Sequence, residues 1–321
     1  MMDVTIAPRT GFQLRNPVVA ASGTFGYGVE FASRMDLSGL GAIVCKGTTR
    51  EPRGGNAPLR VAETAAGMLN AIGLQNIGIE AVIREKAPIW ATWSVPVLIN
   101  VSATSIEDYI YVASRLNGVP GVAGIELNIS CPNVKEGGIL FATDAGLTHA
   151  VTRAVRDVTR LPLVVKLSPN VSDIRSIAAA AEQAGADAIS LINTLYGMAI
   201  DVTRRTPTLA NVSGGLSGPA VKPHALHLVY QVAQEVMIPV VGIGGIMTAS
   251  DAVEFLLAGA TAIGMATALL IDPACWRKIA GGIDAWCQKE GVKDLEEIIG
   301  AANTGFKARK AKPGGISLAG S

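Results

Sequence analysis

Eight short, mostly apolar runs recur along the chain, and they limit the possible fold more than any other feature. Gly, Pro, Asn or Ser bounds each run, and Ala-rich stretches with helical periodicity separate the runs. This alternation is typical of β/α units. Several runs are apolar throughout, as expected for strands buried on both faces of a parallel sheet. The runs are 17–20, 42–46, 95–100, 124–129, 163–167, 188–193, 240–243 and 262–265.

A short internal repeat favours a regular barrel. Ala-Gly-Ala-x-Ala-Ile occurs at 184–189 and again at 258–263, each time where a helix should end and a strand begin. We therefore predict an α/β fold of the (β/α)8 TIM-barrel type, with an open doubly wound sheet as the structural alternative. Residues 1–305 are expected to form this single domain, and 306–321, basic and then Gly-rich, a mobile tail.

Two segments fall outside the eight units. Residues 4–6 and 12–14 flank 8–11 and predict an N-terminal β-hairpin at the bottom of the barrel. Residues 47–76 are rich in Gly, Pro and Arg and are too many for a plain loop between a strand and a helix. We interpret this segment as an insertion over the top of the barrel.

The charge balance argues for a small-molecule ligand. Lysine and arginine total 27 and aspartate and glutamate 26, so no net field attracts nucleic acid or an anionic membrane surface. No apolar run approaches the roughly 20 residues of a membrane-spanning helix, and the start lacks the pattern of a signal peptide. These features predict a cytoplasmic protein without a membrane or nucleic-acid partner.

The four cysteines are scattered, with no C-x-x-C pair, and no H-E-x-x-H motif surrounds the histidines. We therefore expect no metal site. Cys45, Cys275 and Cys287 are interpreted as small, inert, buried side chains. Cys131 differs because it lies in the polar segment Asn-Ile-Ser-Cys-Pro-Asn (128–133), followed by paired glycines. That context predicts a reactive thiol on a mobile lid.

Polar residues and glycines recur where the predicted strands end, which in a barrel is the rim that carries the active site. Each residue alone has a structural explanation, since lysine is often the first solvated residue after a strand and asparagine a turn former. Their convergence on one rim favours function. Glycines after the seventh strand favour a phosphate-bearing cofactor, FMN rather than a dinucleotide. The rim residues are Ser22, Lys46, Asn100, Asn128, Cys131, Lys166, Asn193, Thr194, Gly244, Gly245, Ala266 and Thr267.

With these motifs the sequence resembles the class 1 dihydroorotate dehydrogenases, above all the catalytic subunits of the NAD-linked class 1B enzymes. The resemblance runs from Asn16 to about Asp272. One departure is Met-Ala-Thr at 265–267, where the family usually has Val-Gly-Thr. The motifs are ASGTFG (21–26), KGTT (46–49), MLNAIGLQN (68–76), NISCPN (128–133), KLSPN (166–170), INT (192–194) and GGLSGP (214–219).

The resemblance implies FMN-dependent oxidation of dihydroorotate to orotate in pyrimidine biosynthesis. Cys131 matches the base that takes the C5 proton, and Lys46 is the other catalytic residue implied. The FMN-binding residues implied are Ser22, Lys46, Gly47, Asn100, Asn128, Lys166, Ile192, Gly218, Gly244, Gly245, Ala266 and Thr267. The substrate-binding residues implied are Lys46, Asn70, Ala71, Ile72, Gly73, Leu74, Asn128, Asn193 and Thr194.

The class 1B resemblance also implies a partner, because the chain has neither iron–sulfur ligands nor a dinucleotide motif. The partner subunit would carry FAD and a 2Fe-2S cluster and pass electrons to NAD, in a heterotetramer built on a catalytic homodimer. Three alternatives stay open at this point. They are a fumarate-linked class 1A enzyme, a barrel like that of dihydropyrimidine dehydrogenase, and a flavin-binding barrel without activity.

Overall fold

The computed structural model describes residues 3–129 and 141–306. In chain order, the strands are β1 (Val4–Ala7), β2 (Phe12–Leu14), β3 (Val18–Ala20), β4 (Ala42–Val44), β5 (Val61–Thr64), β6 (Gly67–Asn70), β7 (Val97–Val101), β8 (Gly124–Asn128), β9 (Leu163–Lys166), β10 (Ala188–Leu191), β11 (Leu195–Gly197), β12 (Ile200–Asp201), β13 (Thr206–Pro207), β14 (Gly214–Ser217), β15 (Val240–Ile243) and β16 (Ala262–Met265). The helices are α1 (Val29–Ala32), α2 (Ile79–Glu85), α3 (Ala87–Trp90), α4 (Ile106–Arg115), α5 (Ala145–Val158), α6 (Ile174–Gln183), α7 (Lys222–Glu235), α8 (Ala249–Ala258), α9 (Thr267–Ile271) and α10 (Cys275–Glu290).

Eight parallel strands close into a barrel, in the order β3, β4, β7, β8, β9, β10, β15, β16 and back to β3. Each corresponds to one of the eight apolar runs, so the predicted barrel is confirmed and the open sheet is excluded. The strands are buried along their whole length because helices cover the outside and side chains fill the inside. No helix among the described residues is long and apolar enough to cross a membrane.

The strand boundaries differ slightly from those predicted. Strand β4 ends at Val44, so Lys46 lies two residues beyond it, whereas Asn100 lies within β7, which continues to Val101. Hydrophobicity alone marks a buried run but does not show where its ladder of hydrogen bonds ends.

Both copies of the Ala-Gly-Ala repeat end a helix. Gly185 and Gly259 follow α6 and α8 with φ of +98° and +118°, a backbone conformation that side chains with a Cβ rarely adopt. The strand follows within three residues in each case. The repeat therefore ends the helix and leads within three residues into β10 or β16.

The N-terminal hairpin lies at the bottom of the barrel, as predicted. Strands β1 and β2 pair antiparallel, and Val4, Ile6 and Leu14 are buried in the main core. Arg9, between the two strands, donates two hydrogen bonds of 2.7 and 2.8 Å to Asp187. Asp187 directly precedes β10 and so marks the amino-terminal rim.

The insertion after β4 forms part of a roof over the opposite rim. Its strands β5 and β6 join β14 and β11, from the segment after β10, in one antiparallel sheet of order β11-β14-β6-β5. The sequence predicted the insertion but not the pairing, because β6 and β14 are far apart in the chain. We call this four-stranded sheet the roof. The predicted tail lies outside the described residues except for Phe306, which packs against the core.

Candidate active site

A cavity of about 280 Å³ lies between the carboxyl-terminal rim of the barrel and the roof. Residues from barrel strands, the loops that follow them and the roof line it together, as is usual for barrels of this kind. Most of the site residues predicted from sequence meet here. Those lining the cavity are Ser22, Lys46, Gly47, Asn70, Ile72, Gly73, Leu74, Asn100, Asn128, Lys166, Ile192, Asn193, Thr194, Gly218, Gly244, Gly245, Ala266 and Thr267.

The structure does not bring Ala71 to the cavity. Side chains alternate between the two faces of a strand, and in the roof Met68 and Asn70 line the cavity while Leu69 and Ala71 pack in a small separate core with Leu209. The backbone of Ala71 is also engaged within the protein. Its N–H donates to the carbonyl of Arg60 and its carbonyl accepts from Asn56. The resemblance to the family implied a continuous segment and did not distinguish its two faces.

Lys46 is a half-buried cation at the edge of this cavity. Its backbone N–H donates to the carbonyl of Gly26, 2.8 Å away, which fixes the turn after β4. Burial lowers the pKa of the Lys46 ammonium, Glu30 opposes this shift, and the positive charge of Arg60 adds to it. An anionic ligand placed against Lys46 would offset the cost of desolvating it.

Lys166, the last residue of β9, lies in a buried polar network at the base of the cavity. Its ammonium nitrogen is 3.2 Å from Ser22 Oγ and 3.6 Å from Glu126 Oε1. Glu126 also accepts a hydrogen bond of 2.6 Å from the Asn100 amide. The side chains of Lys166 and Glu126 are only 6% and 2% exposed, so this ion pair is shielded from water.

Sequence reasoning missed Glu126. It lies inside β8, on the same side as Asn128, and behind the residues that line the cavity. One signal was present, because Glu126 is the single charged residue in the apolar run 124–129. A buried carboxylate needs nearby donors, and a charge within a fully buried strand therefore indicates a polar network inside the barrel.

Three asparagines form a connected row of amides beside Lys166. Asn128 donates to Asn100 Oδ1 at 3.2 Å, and Asn193 donates to Asn128 Oδ1 at 3.4 Å. The backbone carbonyl of Asn128 accepts from the buried Tyr109 hydroxyl at 2.8 Å, which anchors the end of β8. An amide row presents both donors and acceptors, and therefore suits a flat ring with alternating N–H and C=O groups.

The loops after β15 and β16 line the opposite end of the cavity, together with the turn before α7. Gly244 and Gly245 follow β15, Ala266 and Thr267 follow β16, and Gly218 precedes the short helix that leads into α7. A Cβ on Gly245 would lie 2.9 Å from the carbonyl oxygen of Gly218, so the two loops are in close contact only because glycine is present. We call this part the glycine end.

The three described cysteines agree with their predicted inert role. Cys45, Cys275 and Cys287 are buried and free, and burial raises the pKa of Cys45 to about 12 and that of Cys275 to about 11. Each therefore remains a neutral thiol near pH 7. Cys131 lies outside the described residues, as does most of the predicted lid (134–144). The described end of that segment, 141–143, forms a short 3-10 helix with Phe141 and Ala142 buried.

Comparison with known proteins agrees with this geometry. The family model described as dihydroorotate dehydrogenase matches residues 2–286. A protein from Geotalea uraniireducens is 55% identical over 294 residues, which are 92% of this chain and 96% of the relative. Relatives from Desulforudis audaxviator and Pelobacter propionicus are each 54% identical, over 91% and 94% of this chain and 95% and 98% of their own lengths. All three are named dihydroorotate dehydrogenase B (NAD(+)), catalytic subunit. The chain belongs to the dihydroorotate dehydrogenase family.

Proposed function

We propose that this protein is the FMN-carrying catalytic subunit of an NAD-linked dihydroorotate dehydrogenase and oxidises dihydroorotate to orotate in pyrimidine biosynthesis. The observation that carries the proposal is the convergence of Lys46, Lys166 and three asparagines on one cavity at the carboxyl-terminal rim. The names of the relatives favour the NAD-linked class over the fumarate-linked and dihydropyrimidine alternatives.

The residues present fit FMN. At the glycine end, backbone N–H groups would bind the phosphate of FMN. Barrels of this kind often bind phosphate with the loops that follow their seventh and eighth strands. Lys166, at the base of the cavity, would balance negative charge on a flavin ring. When bound, FMN would supply the acceptor for the hydride from C6 of the substrate. Ser22, Gly47, Asn100, Ile192 and Thr267 would complete its site.

Lys46 and the amide row would bind and orient dihydroorotate. The substrate carries a carboxylate and a ring with alternating amide groups, which match an ammonium and asparagine side chains in charge and hydrogen bonding. Asn70 reaches the cavity from the roof and Asn193 reaches it from the barrel rim. Contacts from two sides would hold the ring in one orientation, which is a large part of catalysis in such reactions.

Cys131 is proposed as the base that removes the C5 proton, and this assignment rests on the family resemblance. A thiol has a free pKa of about 8.5, so a modest lowering by nearby cations makes it a usable base near neutral pH. In the sequence, Cys131 comes three residues after Asn128, which lines the cavity.

The name "catalytic subunit" carried by the relatives implies a second subunit. We propose that electrons leave through a partner carrying FAD and a 2Fe-2S cluster and reach NAD, in a heterotetramer around a homodimer of this chain. Among residues 3–129 and 141–306, no group of three or more His, Cys, Asp or Glu side chains is arranged to hold a metal ion.

The test is anaerobic reduction of the purified chain, with the visible flavin spectrum as the readout. Dihydroorotate should bleach the flavin band, whereas dihydrouracil, which lacks the carboxylate, should bleach it far more slowly. Fumarate should not restore the band at a useful rate. A yellow protein that dihydrouracil bleaches and dihydroorotate does not would refute the proposed substrate.

A further inference from the structure

We propose that Glu126 is a positioning residue that balances the charge of Lys166 and so sets the reduction potential of the bound flavin. This inference rests on the proposed function, because it requires a flavin ring near Lys166. Glu126 itself does not line the cavity and would act on the flavin through Lys166.

The Glu126 carboxylate contacts polar side chains from four other barrel strands or the turns that follow them. Oε1 accepts from Asn100 on β7 at 2.6 Å and from Ser22 after β3 at 3.2 Å, and it lies 3.6 Å from the Lys166 ammonium on β9. Oε2 accepts from the Ser190 hydroxyl on β10 at 3.3 Å. The network therefore fixes the rim at the base of the cavity.

A purely structural role would not need a charge here. Burying a carboxylate is costly even when it is paired, and apolar side chains of similar volume often give equal or greater stability. Glu126 is 1% exposed and Lys166 is 5% exposed, so water screens neither charge. Because Lys166 also lines the cavity, the strength of its pairing with Glu126 determines how much positive charge a ligand there experiences.

The sign of the effect follows from the two flavin states. The oxidised flavin ring is neutral, and the two-electron reduced ring with one added proton carries a negative charge. Glu126 offsets part of the positive potential of Lys166 and so disfavours the reduced state. Replacing Glu126 with neutral glutamine should favour reduced flavin and raise the potential.

The experiment measures the midpoint potential of the FMN-loaded enzyme by anaerobic titration against a dye of known potential. Glu126→Gln should raise the ratio of affinities for reduced and oxidised FMN by tenfold or more, which is about 30 mV for a two-electron couple. Glutamine preserves the shape, and the Ser190 hydroxyl can rotate to accept from its amide. An unchanged or lower potential would overturn the inference.

Asp187→Asn is the matched control. Asp187 is likewise buried and ion-paired, but it lies at the bottom of the barrel, and the barrel core separates it from the cavity. Asp187→Asn should change the ratio of affinities for reduced and oxidised FMN by less than threefold. If both variants raise the potential equally, the shift reflects general loosening of the barrel, and the inference is wrong.

A double variant keeps the inference testable if Glu126→Gln does not fold. Glu126→Gln combined with Lys166→Gln leaves no unpaired charge and removes a pair that is neutral as a unit. In this double variant the ratio of affinities for reduced and oxidised FMN should stay within tenfold of the wild-type ratio. A larger fall would mean that Lys166 acts without Glu126 and would overturn the inference. If dihydroorotate does not bleach the flavin of the wild-type chain, the proposed function itself is wrong. If it does bleach the flavin but Glu126→Gln leaves the potential unchanged, only this inference is wrong.

Discussion

Two buried carboxylates, Asp187 and Glu126, lie at opposite ends of the barrel and have different kinds of partner. Asp187, at the bottom, accepts from the guanidinium groups of Arg9 and Arg156 and from the backbone N–H of Leu163. Glu126, at the top, accepts mainly from the neutral side chains of Asn100, Ser22 and Ser190, and its ionic partner Lys166 lies farther away, at 3.6 Å.

The difference shows how one kind of interaction serves two purposes. At the bottom, two rigid guanidinium groups enclose one carboxylate, and the cluster ties the hairpin, α5, β9 and β10 together. At the top, the lysine and Asn100 contact Glu126 and also line the cavity. The bottom cluster lies away from the cavity, whereas members of the top cluster also face it.

The largest effect is expected from Cys131→Ala. If Cys131 is the base, flavin reduction by dihydroorotate should slow by about 10³-fold, a typical value for losing a positioned base, while FMN stays bound. Stopped-flow absorbance measures the rate. The control is Cys275→Ala, which removes a buried neutral thiol and should leave the rate unchanged. Unchanged reduction in Cys131→Ala would assign proton removal to another group.

At the bottom, Asp187→Asn should reduce stability rather than activity. Removing one partner of a buried ion pair leaves Arg156 uncompensated, so the free energy of unfolding should fall by about 3 kcal/mol. Urea denaturation measures the change. The exposed Asp157, paired with Arg153, is the control, and Asp157→Asn should cost about 0.5 kcal/mol or less. Equal losses would show that burial does not distinguish the two pairs.

The affinity for the product orotate should depend on pH through Lys46. Burial lowers the pKa of Lys46, and a bound carboxylate favours its charged form, so affinity should be full below that pKa and be lost as pH rises through it. Lys46→Met should weaken binding by about 10- to 100-fold and flatten this alkaline limb. Spectral titration of the flavin with orotate measures both. An alkaline limb that persists in Lys46→Met would assign the titration to another group.

The smallest effect is expected from Arg9→Ala. Its side chain is 52% exposed, against 10% for Arg156, so its pairing with Asp187 is partly screened by solvent. We expect a loss of less than about 1 kcal/mol in the same denaturation experiment. A loss as large as that of Asp187→Asn would mean that the hairpin, rather than Arg156, is the main partner holding Asp187.

The barrel and the polar residues on its rim were predictable because both depend on local patterns, whereas residues 70–74 of the insertion were implied only by the family resemblance. A strand buried on two faces is apolar along its length, and its carboxyl end is where polar residues such as Lys166 appear. The partners of Glu126 and Asp187 were not predictable, since Ser22 is 104 residues from Glu126 and Arg9 is 178 residues from Asp187. That Ala71, directly after β6, does not line the cavity was not predictable for a related reason, because the face of β6 that meets the cavity depends on its pairing with β14.

The composition of the roof has a consequence for the order of folding. Asn70 on β6 pairs with Gly215 on β14, 145 residues later, and four of the eight barrel strands lie between them in the chain. Closing so long a loop is entropically costly unless the intervening strands have already brought its ends together. The cavity therefore forms late, after the barrel has closed. A nascent chain would acquire its cofactor only at the end of folding, and the flavin colour would report a completed barrel rather than an intermediate.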